Sequence, residues 1–294
     1  MTQELVSILM PVKNEAKFIQ EAIQSVLNQS HVNFELIIVN DGSTDETAVI
    51  ISGISDQRVT LIDTDGVGKN NAFNLAYTKS KGSFYCCFAG DDLMPKDSIE
   101  KRLFAFQKTS SFSQVVLSKL QMFSDNKKFD GVIIPRSNEG GYSGGTMMFS
   151  EKLANKIFPL PTVLANEDMW MSLIIRFSEL EIYHQPLVTL KYRIHANNSS
   201  SKTSSFKSKT ESMHKRFIVY GLFLEKFRTR LNEEQKAQLA PMSAAETLRY
   251  QNDWLSLLFM SGLSFSEKAR FIFHSTSFFY WLRQRLFSFF SGRS

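Results

Sequence analysis

Short β-branched runs alternate with helical patterns over the first two hundred residues, and this alternation limits the possible folds more than any other feature of the chain. Predicted strands cover residues 6–12, 34–39, 59–63, 84–89, 114–123, 146–149 and 187–194. Predicted helices cover residues 15–28, 44–54, 69–79, 97–108 and 166–178, with Ser43 or Thr44 as the cap of the second. Repeated strand–helix units of this spacing predict an α/β fold, a mostly parallel sheet covered by helices on both faces.

The last third of the chain has a different composition. Residues 201–294 contain 15 Lys and Arg against 7 Asp and Glu, a net charge of +8, whereas residues 1–200 contain 19 against 22, a net charge of −3. The same third holds 13 of the 26 Phe residues. We therefore predict two domains, residues 1–200 and a basic, Phe-rich helical extension over 201–294. A Ser-rich linker at 196–208 would precede helices near 209–231, 242–261 and 265–291.

Composition excludes several classes of protein. With 43% apolar and 21% charged residues the chain is neither disordered nor fibrous. Cys86 and Cys87 are adjacent in an apolar run, which favours two reduced core thiols and a cytoplasmic compartment over a disulfide or a zinc site. The uncharged runs at 254–266 and 271–282 are shorter than the roughly 20 residues that cross a bilayer. The first residues lack the basic start of a signal peptide, so we expect no leader.

Polar side chains follow the predicted strands. Ligands of parallel sheets bind beyond the carboxyl ends of the strands, where Asn14, Asp41, Asp91 and Asp92 fall. Asp41 could accept hydrogen bonds from a ribose or a base, or could be a turn residue. The pair Asp91–Asp92 suits a hard divalent cation such as Mg²⁺ or Mn²⁺, which would hold a diphosphate; a simple turn near Pro95 is the alternative.

Four further residues lie where a ligand could meet them. Glu167 and Asp168 begin an apolar helix, either as charges favoured by the helix dipole or as the site of a general base. Trp170 in the same helix is predicted to be a core residue rather than a ring that stacks on a ligand. His195 follows the last predicted strand, as a surface imidazole or as a site residue.

A series of motifs runs in order between residues 5 and 196, namely SILMPVKNE, IIVNDGSTDET, GKNNAFNLA, GDD, the glycine pair 144–145, NED and KYRIH. The series resembles the inverting family 2 glycosyltransferases of the GT-A fold and covers about two-thirds of the chain. Seven motifs in order are far more specific than any one of them. The resemblance implies transfer of a sugar from a nucleotide-diphosphate donor, with a UDP-sugar favoured, to a hydroxyl of a glycan or polyprenyl-linked acceptor in polysaccharide biosynthesis.

The resemblance also implies roles for single residues. The donor would be bound by Pro11, Val12, Asn14, Asp41, Lys69, Asp91, Asp92, Gly145 and Glu167. Asp91 and His195 would hold a divalent metal (Mn²⁺ or Mg²⁺), and Asp168 would be the catalytic base. The family's metal motif has an Asp where this chain has Ala89, and Asp91 takes the position of the direct metal ligand.

The segment 271–290 mixes large aromatic residues with Arg283 and Arg285. It is predicted to lie on the inner leaflet of the cell membrane, as a peripheral contact from the cytoplasmic side; packing of its aromatics on the catalytic domain is the alternative. No motif predicts nucleic-acid binding. The alternative function is that of a non-catalytic sugar-nucleotide-binding or scaffold protein, which Ala89 favours and which the joint presence of Asp91, Asp168 and His195 disfavours.

Overall fold

The computed structural model describes residues 4–108, 114–178, 180–195 and 205–291. The chain forms two compact units, one of Met1–Thr162 with Asn166–Ser201 and one of Val163–Ala165 with Lys202–Ser294. The predicted domain boundary at residues 200 and 201 and most of the predicted linker at 196–208 lie outside the described residues.

The first unit is built around one sheet. Its strands are β1 (Val6–Val12), β2 (Phe34–Asp41), β3 (Val59–Thr64), β4 (Phe84–Cys87), β5 (Val115–Phe123), β6 (Ile133–Ile134), β7 (Met147–Ser150) and β8 (Ile182–Arg193). Their order is β3-β2-β1-β4-β7-β5-β6, and β8 pairs with β5. Strands β1 to β4 are parallel to one another, whereas β7 runs antiparallel to both β4 and β5. The prediction of a mostly parallel sheet is confirmed.

Helices cover this sheet. They are α1 (Ile19–Leu27), α2 (Thr47–Ser52), α3 (Lys69–Lys79), α4 (Ser98–Gln107), α5 (Glu151–Ile157) and α6 (Asp168–Arg176). The main core cluster joins apolar side chains of β1, β2 and β4 to those of α1 and α4. Cys86 and Cys87 are buried free thiols, as predicted. Trp170 is fully buried and its indole N–H donates to the carbonyl of Ile157 at 2.9 Å, which confirms it as a core residue.

The parallel strands determine where the polar loops meet. Because β1, β2 and β4 are neighbours and point the same way, their carboxyl ends lie at one edge of the sheet. Those ends are Val12, Asp41 and Cys87. The loops that carry the sequence motifs therefore start side by side.

Two predictions for this unit are wrong in detail. Neither Ser43 nor Thr44 caps α2. Instead the Ser43 hydroxyl accepts from the Asn14 backbone N–H at 3.0 Å, and the Thr44 N–H donates to the Asn14 side-chain oxygen at 2.8 Å. The carboxylate of Asp45 accepts from the Thr47 N–H that begins α2, at 3.0 Å. Strand β8 begins at Ile182, earlier than predicted, because its pairing with β5 already starts there.

The second unit contains α7 (Phe206–Phe217), α8 (Val219–Phe227), α9 (Glu233–Tyr250), α10 (Trp254–Phe259), α11 (Phe265–Ile272) and α12 (Ser277–Ser291). The prediction of one helix over 242–261 is wrong. Asn252 adopts a left-handed φ of 62°, and the Asp253 side chain accepts from the Ser256 N–H at 3.0 Å, so one helix ends and another begins. Among the described residues, no helix is long and apolar enough to cross a membrane.

Candidate active site

Asp41 lies at the end of β2 with 5% of its surface exposed. Both of its carboxylate oxygens accept from the backbone N–H of Gly68, at 3.0 and 3.1 Å. Gly68 is the residue before α3, so the start of that helix holds the carboxylate in place. The turn after Asp41 needs glycine, because Gly42 has a φ of 67° and a Cβ there would lie 2.8 Å from the Gly66 nitrogen.

The loop after β1 packs beside this turn. Asn14 has a φ of 56° and is exposed, and its hydrogen bonds to Ser43 and Thr44 tie the β1 loop to the β2 loop. Pro11 is half-buried, whereas the Val12 side chain is buried in the main core cluster. A donor molecule would therefore meet the backbone rather than the side chain of Val12.

The loop after β4 brings the Asp91 side chain next to that of His195. The imidazole Nε2 lies 3.0 Å from the Asp91 Oδ2, and each side chain is 16% exposed. The His195 ring also packs against Phe18, with ring centroids 4.8 Å apart. The Asp91 carboxylate and the His195 imidazole are therefore within hydrogen-bond distance of each other at the sheet edge.

Asp92 has a different environment from Asp91. It is 4% exposed, and its carboxylate accepts from the backbone N–H of Arg193 at 2.9 Å. Burial and the neighbouring charge of Asp91 raise the pKa of Asp92 well above its usual range. The structure therefore places Asp92 as a buried link between the β4 loop and β8.

Arg193 lies inside the motif KYRIH, but the sequence predicts no role for it, and the structure places it against the Asp91 loop. Its Nε donates to the Asp91 carbonyl at 2.7 Å and its guanidinium donates to Glu21 at 2.6 Å. The guanidinium lies between the rings of Phe18 and Phe123, at 4.7 and 4.4 Å from their centroids. Arg193 ends β8, and His195 follows two residues later, outside the strand.

A second cluster forms around Lys69, the first residue of α3. Its ammonium lies 2.9 Å from Glu167 Oε2, where the Glu167 side chain is only 6% exposed and that of Lys69 is 48% exposed. Burial lowers the pKa of Lys69, but the carboxylates of Glu167 and Asp168 outweigh this effect and raise it above its usual range. Burial and the Glu167 charge raise the pKa of the nearby Cys87 thiol, which therefore stays protonated.

Asp168 begins α6, and its carboxylate is held by the glycine pair. The Gly144 N–H donates to Asp168 Oδ1 at 2.7 Å. A Cβ at Gly144 would lie 2.9 Å from Glu167 Oε1 and 3.2 Å from Asp168 Oδ1, so only glycine fits against the two acids. A Cβ at Gly145 would lie 2.7 Å from Leu190, so the missing side chain of Gly145 leaves room for Leu190 of β8.

Glu15 is the last residue of the motif SILMPVKNE, and the sequence predicts no role for it either. Its Cγ and Cβ would lie 3.1 and 3.3 Å from a Cβ placed on Gly90, so the Glu15 side chain lies directly against the Asp91 loop. Burial, together with the charges of Asp91 and Asp45, raises the pKa of Glu15 from 4.5 to about 7. The adjoining Asn14 could have drawn attention to it, but nothing in the sequence pairs it with Asp91.

The side chains of Asp91 and His195 fit a divalent cation whose remaining ligands come from a bound substrate. Within the described ranges, no group of three or more His, Cys, Asp or Glu side chains is arranged to hold a metal ion alone. Asp91 and His195 supply one oxygen donor and one nitrogen donor at 3.0 Å from each other. Mg²⁺ is commonly held by one or two carboxylates together with substrate phosphates, and Mn²⁺ likewise favours carboxylate oxygens, so Asp91 is the stronger of the two donors for either ion.

The family model described as glycosyl transferase family 2 matches residues 7–158. The chain belongs to that family. It is 26% identical over 233 residues to an uncharacterized glycosyltransferase of Rickettsia bellii (strain RML369-C), covering 73% of this chain and 33% of the relative. It is 33% identical over 150 residues to an uncharacterized glycosyltransferase of Haemophilus influenzae, covering 47% of this chain and 60% of the relative. The chain thus spans about one-third and about three-fifths of these two relatives.

Solved structures share the fold. The crystal structure of S. aureus TarS 1–349 in complex with UDP-GlcNAc aligns over 94% of this chain and 80% of its own, with a TM-score of 0.61 and 18% identity. The mannosyltransferase PcManGT from Pyrobaculum calidifontis, in complex with GDP-Man and Mn²⁺, aligns over 92% and 85%, with a TM-score of 0.57 and 15% identity. These likenesses confirm the predicted GT-A type of fold, with helices at the carboxyl terminus.

Proposed function

We propose that this glycosyltransferase moves a hexosyl or N-acetylhexosaminyl group from a nucleotide-diphosphate donor to a hydroxyl with inversion at the anomeric carbon. The observation that carries the proposal is the convergence at one sheet edge of Asp41, the pair Asp91–His195 and the Asp168 carboxylate held by Gly144. Relatives of the same fold bind UDP-GlcNAc and GDP-Man, which supports a nucleotide-sugar donor.

In this proposal the nucleoside lies against the loops after β1 and β2. Asp41 is oriented by Gly68 and would accept a hydrogen bond from the base or ribose. Asn14 would border the same pocket, with Pro11 and Val12 as its wall. The half-exposed ammonium of Lys69 would face the diphosphate, with Glu167 fixing its position.

Asp91 and His195 would hold a divalent cation beside the diphosphate of the donor. When bound, that cation supplies positive charge where the leaving diphosphate gains negative charge. Arg193 keeps the Asp91 loop against β8 through the Asp91 carbonyl, and Asp92 anchors the same loop from inside. Gly145 would allow close approach of the donor sugar beside Leu190.

Asp168 would be the general base. The acceptor hydroxyl loses its proton to the Asp168 carboxylate as its oxygen bonds to the anomeric carbon, and the bond from that carbon to the diphosphate oxygen breaks on the opposite side. The Gly144 N–H donates to one oxygen of this carboxylate and so holds the carboxylate in place. This in-line displacement requires no nucleophilic residue on the protein.

The acceptor and the location of the protein are also proposals. The acceptor would be a glycan or a polyprenyl-linked sugar in polysaccharide biosynthesis, and the protein would act at the cytoplasmic face of the inner membrane. The chondroitin synthase of Pasteurella multocida, 35% identical over 113 residues that are 38% of this chain and 12% of that protein, supports a glycan acceptor.

Donor binding tests the proposal first. The melting temperature of the full chain, measured with a panel of UDP- and GDP-sugars with and without Mn²⁺, should rise with at least one donor and rise further with Mn²⁺. Asp91→Asn should lose the Mn²⁺-dependent part of the rise, because an amide oxygen is a weaker ligand than a carboxylate. Asp125→Asn, at an exposed loop carboxylate, is the matched control.

The outcome separates the candidate functions. A Mn²⁺-dependent rise that Asp91→Asn retains would remove Asp91 from the cation site. Donor binding with no turnover by the wild-type protein toward any acceptor would favour the sugar-nucleotide-binding or scaffold function to which Ala89 points.

A further inference from the structure

The short helix α10 in the second unit exposes an apolar face. Of its apolar side chains only Leu257 is buried, at 0% exposure. Trp254, Leu255, Leu258 and Phe259 are 39, 52, 47 and 79% exposed. A contiguous apolar patch on a protein surface marks an interaction site rather than ordinary surface scatter.

Neighbouring helices of the same unit extend this face. Phe265 opens α11 with 88% of its surface exposed, and the ammonium of Lys268 one turn later donates to the Leu258 carbonyl at 3.3 Å. The Trp254 ring meets Phe279 of α12 edge-on, with centroids 5.4 Å apart. We name the aromatic corner after its exposed members, which are Trp254, Leu255, Leu258, Phe259, Phe265, Phe278 and Trp281.

Basic groups border the aromatic corner. Besides Lys268, the Arg285 guanidinium lies 4.5 Å from the Trp281 ring centroid. Asp253 and Glu267 lie nearby and are ionised, because hydrogen bonds from Ser256 and Ser264 lower the pKa of their carboxyls. The rim therefore carries both signs, and the excess of positive charge is the net charge of +8 over residues 201–294.

We infer that the aromatic corner docks on an anionic lipid surface, with Phe259 and Phe265 entering the boundary between headgroups and acyl chains. Exposed aromatic side chains beside Lys and Arg form the pattern of interfacial membrane contacts, where apolar burial and attraction to anionic lipid act together. The sequence points to 271–290, whereas the structure adds α10 and the first turn of α11 as the most exposed part. This inference does not depend on the proposed transfer reaction.

Vesicle sedimentation of the full chain tests the inference. The wild-type protein should sediment with vesicles of phosphatidylcholine and phosphatidylglycerol, more weakly with pure phosphatidylcholine, and less as salt rises. The double variant Phe259→Ser, Phe265→Ser should bind the anionic vesicles at least about tenfold more weakly, because it removes two large apolar side chains from the contact. Phe104→Ser, at a 57% exposed Phe of the first unit, is the matched control and should bind as the wild type does.

Melting temperatures identify a variant that fails to fold, and in that case Leu255→Ser, also on the exposed face, replaces the double variant. Equal binding of anionic vesicles by the wild type and a folded corner variant would overturn the inference. Absence of wild-type binding would overturn it as well. If the wild type instead sediments as a dimer and the corner variant as a monomer, the corner is a surface for a second copy and the lipid assignment is wrong.

Discussion

Glu15 lies beside other carboxylates at the candidate site, and this placement makes its ionised form unfavourable. Its carboxyl is partly buried against the Asp91 loop, and burial and the charges of Asp91 and Asp45 raise its pKa from 4.5 to about 7. Between these two values the folded state binds more protons at Glu15 than the unfolded state does. The contribution of Glu15 to the free energy of unfolding therefore falls as pH rises from about 4.5 to about 7, and the loss persists above that pH.

We predict that Glu15→Gln raises the melting temperature of the chain at pH 8 and that this gain vanishes below pH 4.5. A glutamine keeps the size of the side chain but cannot ionise beside Asp91. Thermal unfolding from pH 4 to pH 8, with a chelator present, measures the difference. Glu46→Gln, at an exposed carboxyl of the first unit, is the control. If the difference in melting temperature between Glu15→Gln and the wild type does not change with pH, the ionised Glu15 carboxylate does not destabilise the fold.

Single residues also show which parts of a site can be predicted from sequence. Asp41, Asp91 and Asp168 each follow a strand or begin a helix, so local patterns located them correctly at the sheet edge or at a helix start. Arg193 escaped notice as a site residue because its contact with the Asp91 carbonyl spans 102 positions of sequence. Partners of that kind depend on the register of β8, which no local pattern reveals.

At the scale of elements, α9 contains two acid–base pairs with the same spacing of three but opposite environments. Glu233 and Lys236 are 92 and 33% exposed, whereas Glu246 and Arg249 are 2 and 0% exposed. Arg249 also donates to the carbonyls of Thr210 and His274, so it joins α7, α9 and the end of α11. Both pairs have the same spacing in the sequence. The sequence therefore does not show which pair is exposed and which is buried.

We predict that Arg249→Met lowers the free energy of unfolding by about 3–5 kcal/mol, because it removes the guanidinium from the buried Glu246 carboxylate and leaves it only the His214 imidazole at 2.9 Å. The double variant Glu246→Leu, Arg249→Met should recover much of this loss, since no buried charge remains. Lys236→Met in the exposed pair should change stability little. Chemical denaturation measures all three, and equal stability of Arg249→Met and Lys236→Met would contradict the account.

Helix boundaries in the second unit were less predictable than strand positions in the first. Strands β1 and β2 are buried on both faces, so their apolar composition marks them directly. In the second unit the boundary between α9 and α10 depends on the left-handed Asn252 and the Asp253 cap, within a run of otherwise helical pattern. The capping box of Asn232 and Gln235 likewise begins α9 earlier than predicted.

At the scale of the whole molecule, the two parts of the sequence that differ in charge and Phe content correspond to structural units with different features. The acidic first part of the sequence contains the match to glycosyl transferase family 2 over residues 7–158, and the described members of its polar motifs lie at one edge of the sheet. The basic, Phe-rich part carries the aromatic corner. We therefore propose that the first unit carries out sugar transfer and that the second attaches the protein to a lipid surface. The central claim is that Asp168 removes the acceptor proton.

The most direct measurement of that claim compares Asp168→Asn with the wild type in transfer rate, donor affinity and melting temperature. The donor is the nucleotide sugar that gives the largest thermal shift, and release of its nucleoside diphosphate in the presence of acceptor reports transfer. Asparagine preserves shape but cannot accept the proton, so the transfer rate should fall by about 10²–10⁴-fold while donor affinity stays unchanged. Glu151→Gln, at an exposed acid in the first turn of α5, removes a comparable helix-start charge and should leave the rate unchanged. A near-wild-type rate in Asp168→Asn, with only a small loss of melting temperature, would reduce Asp168 to a helix-start charge and contradict the account.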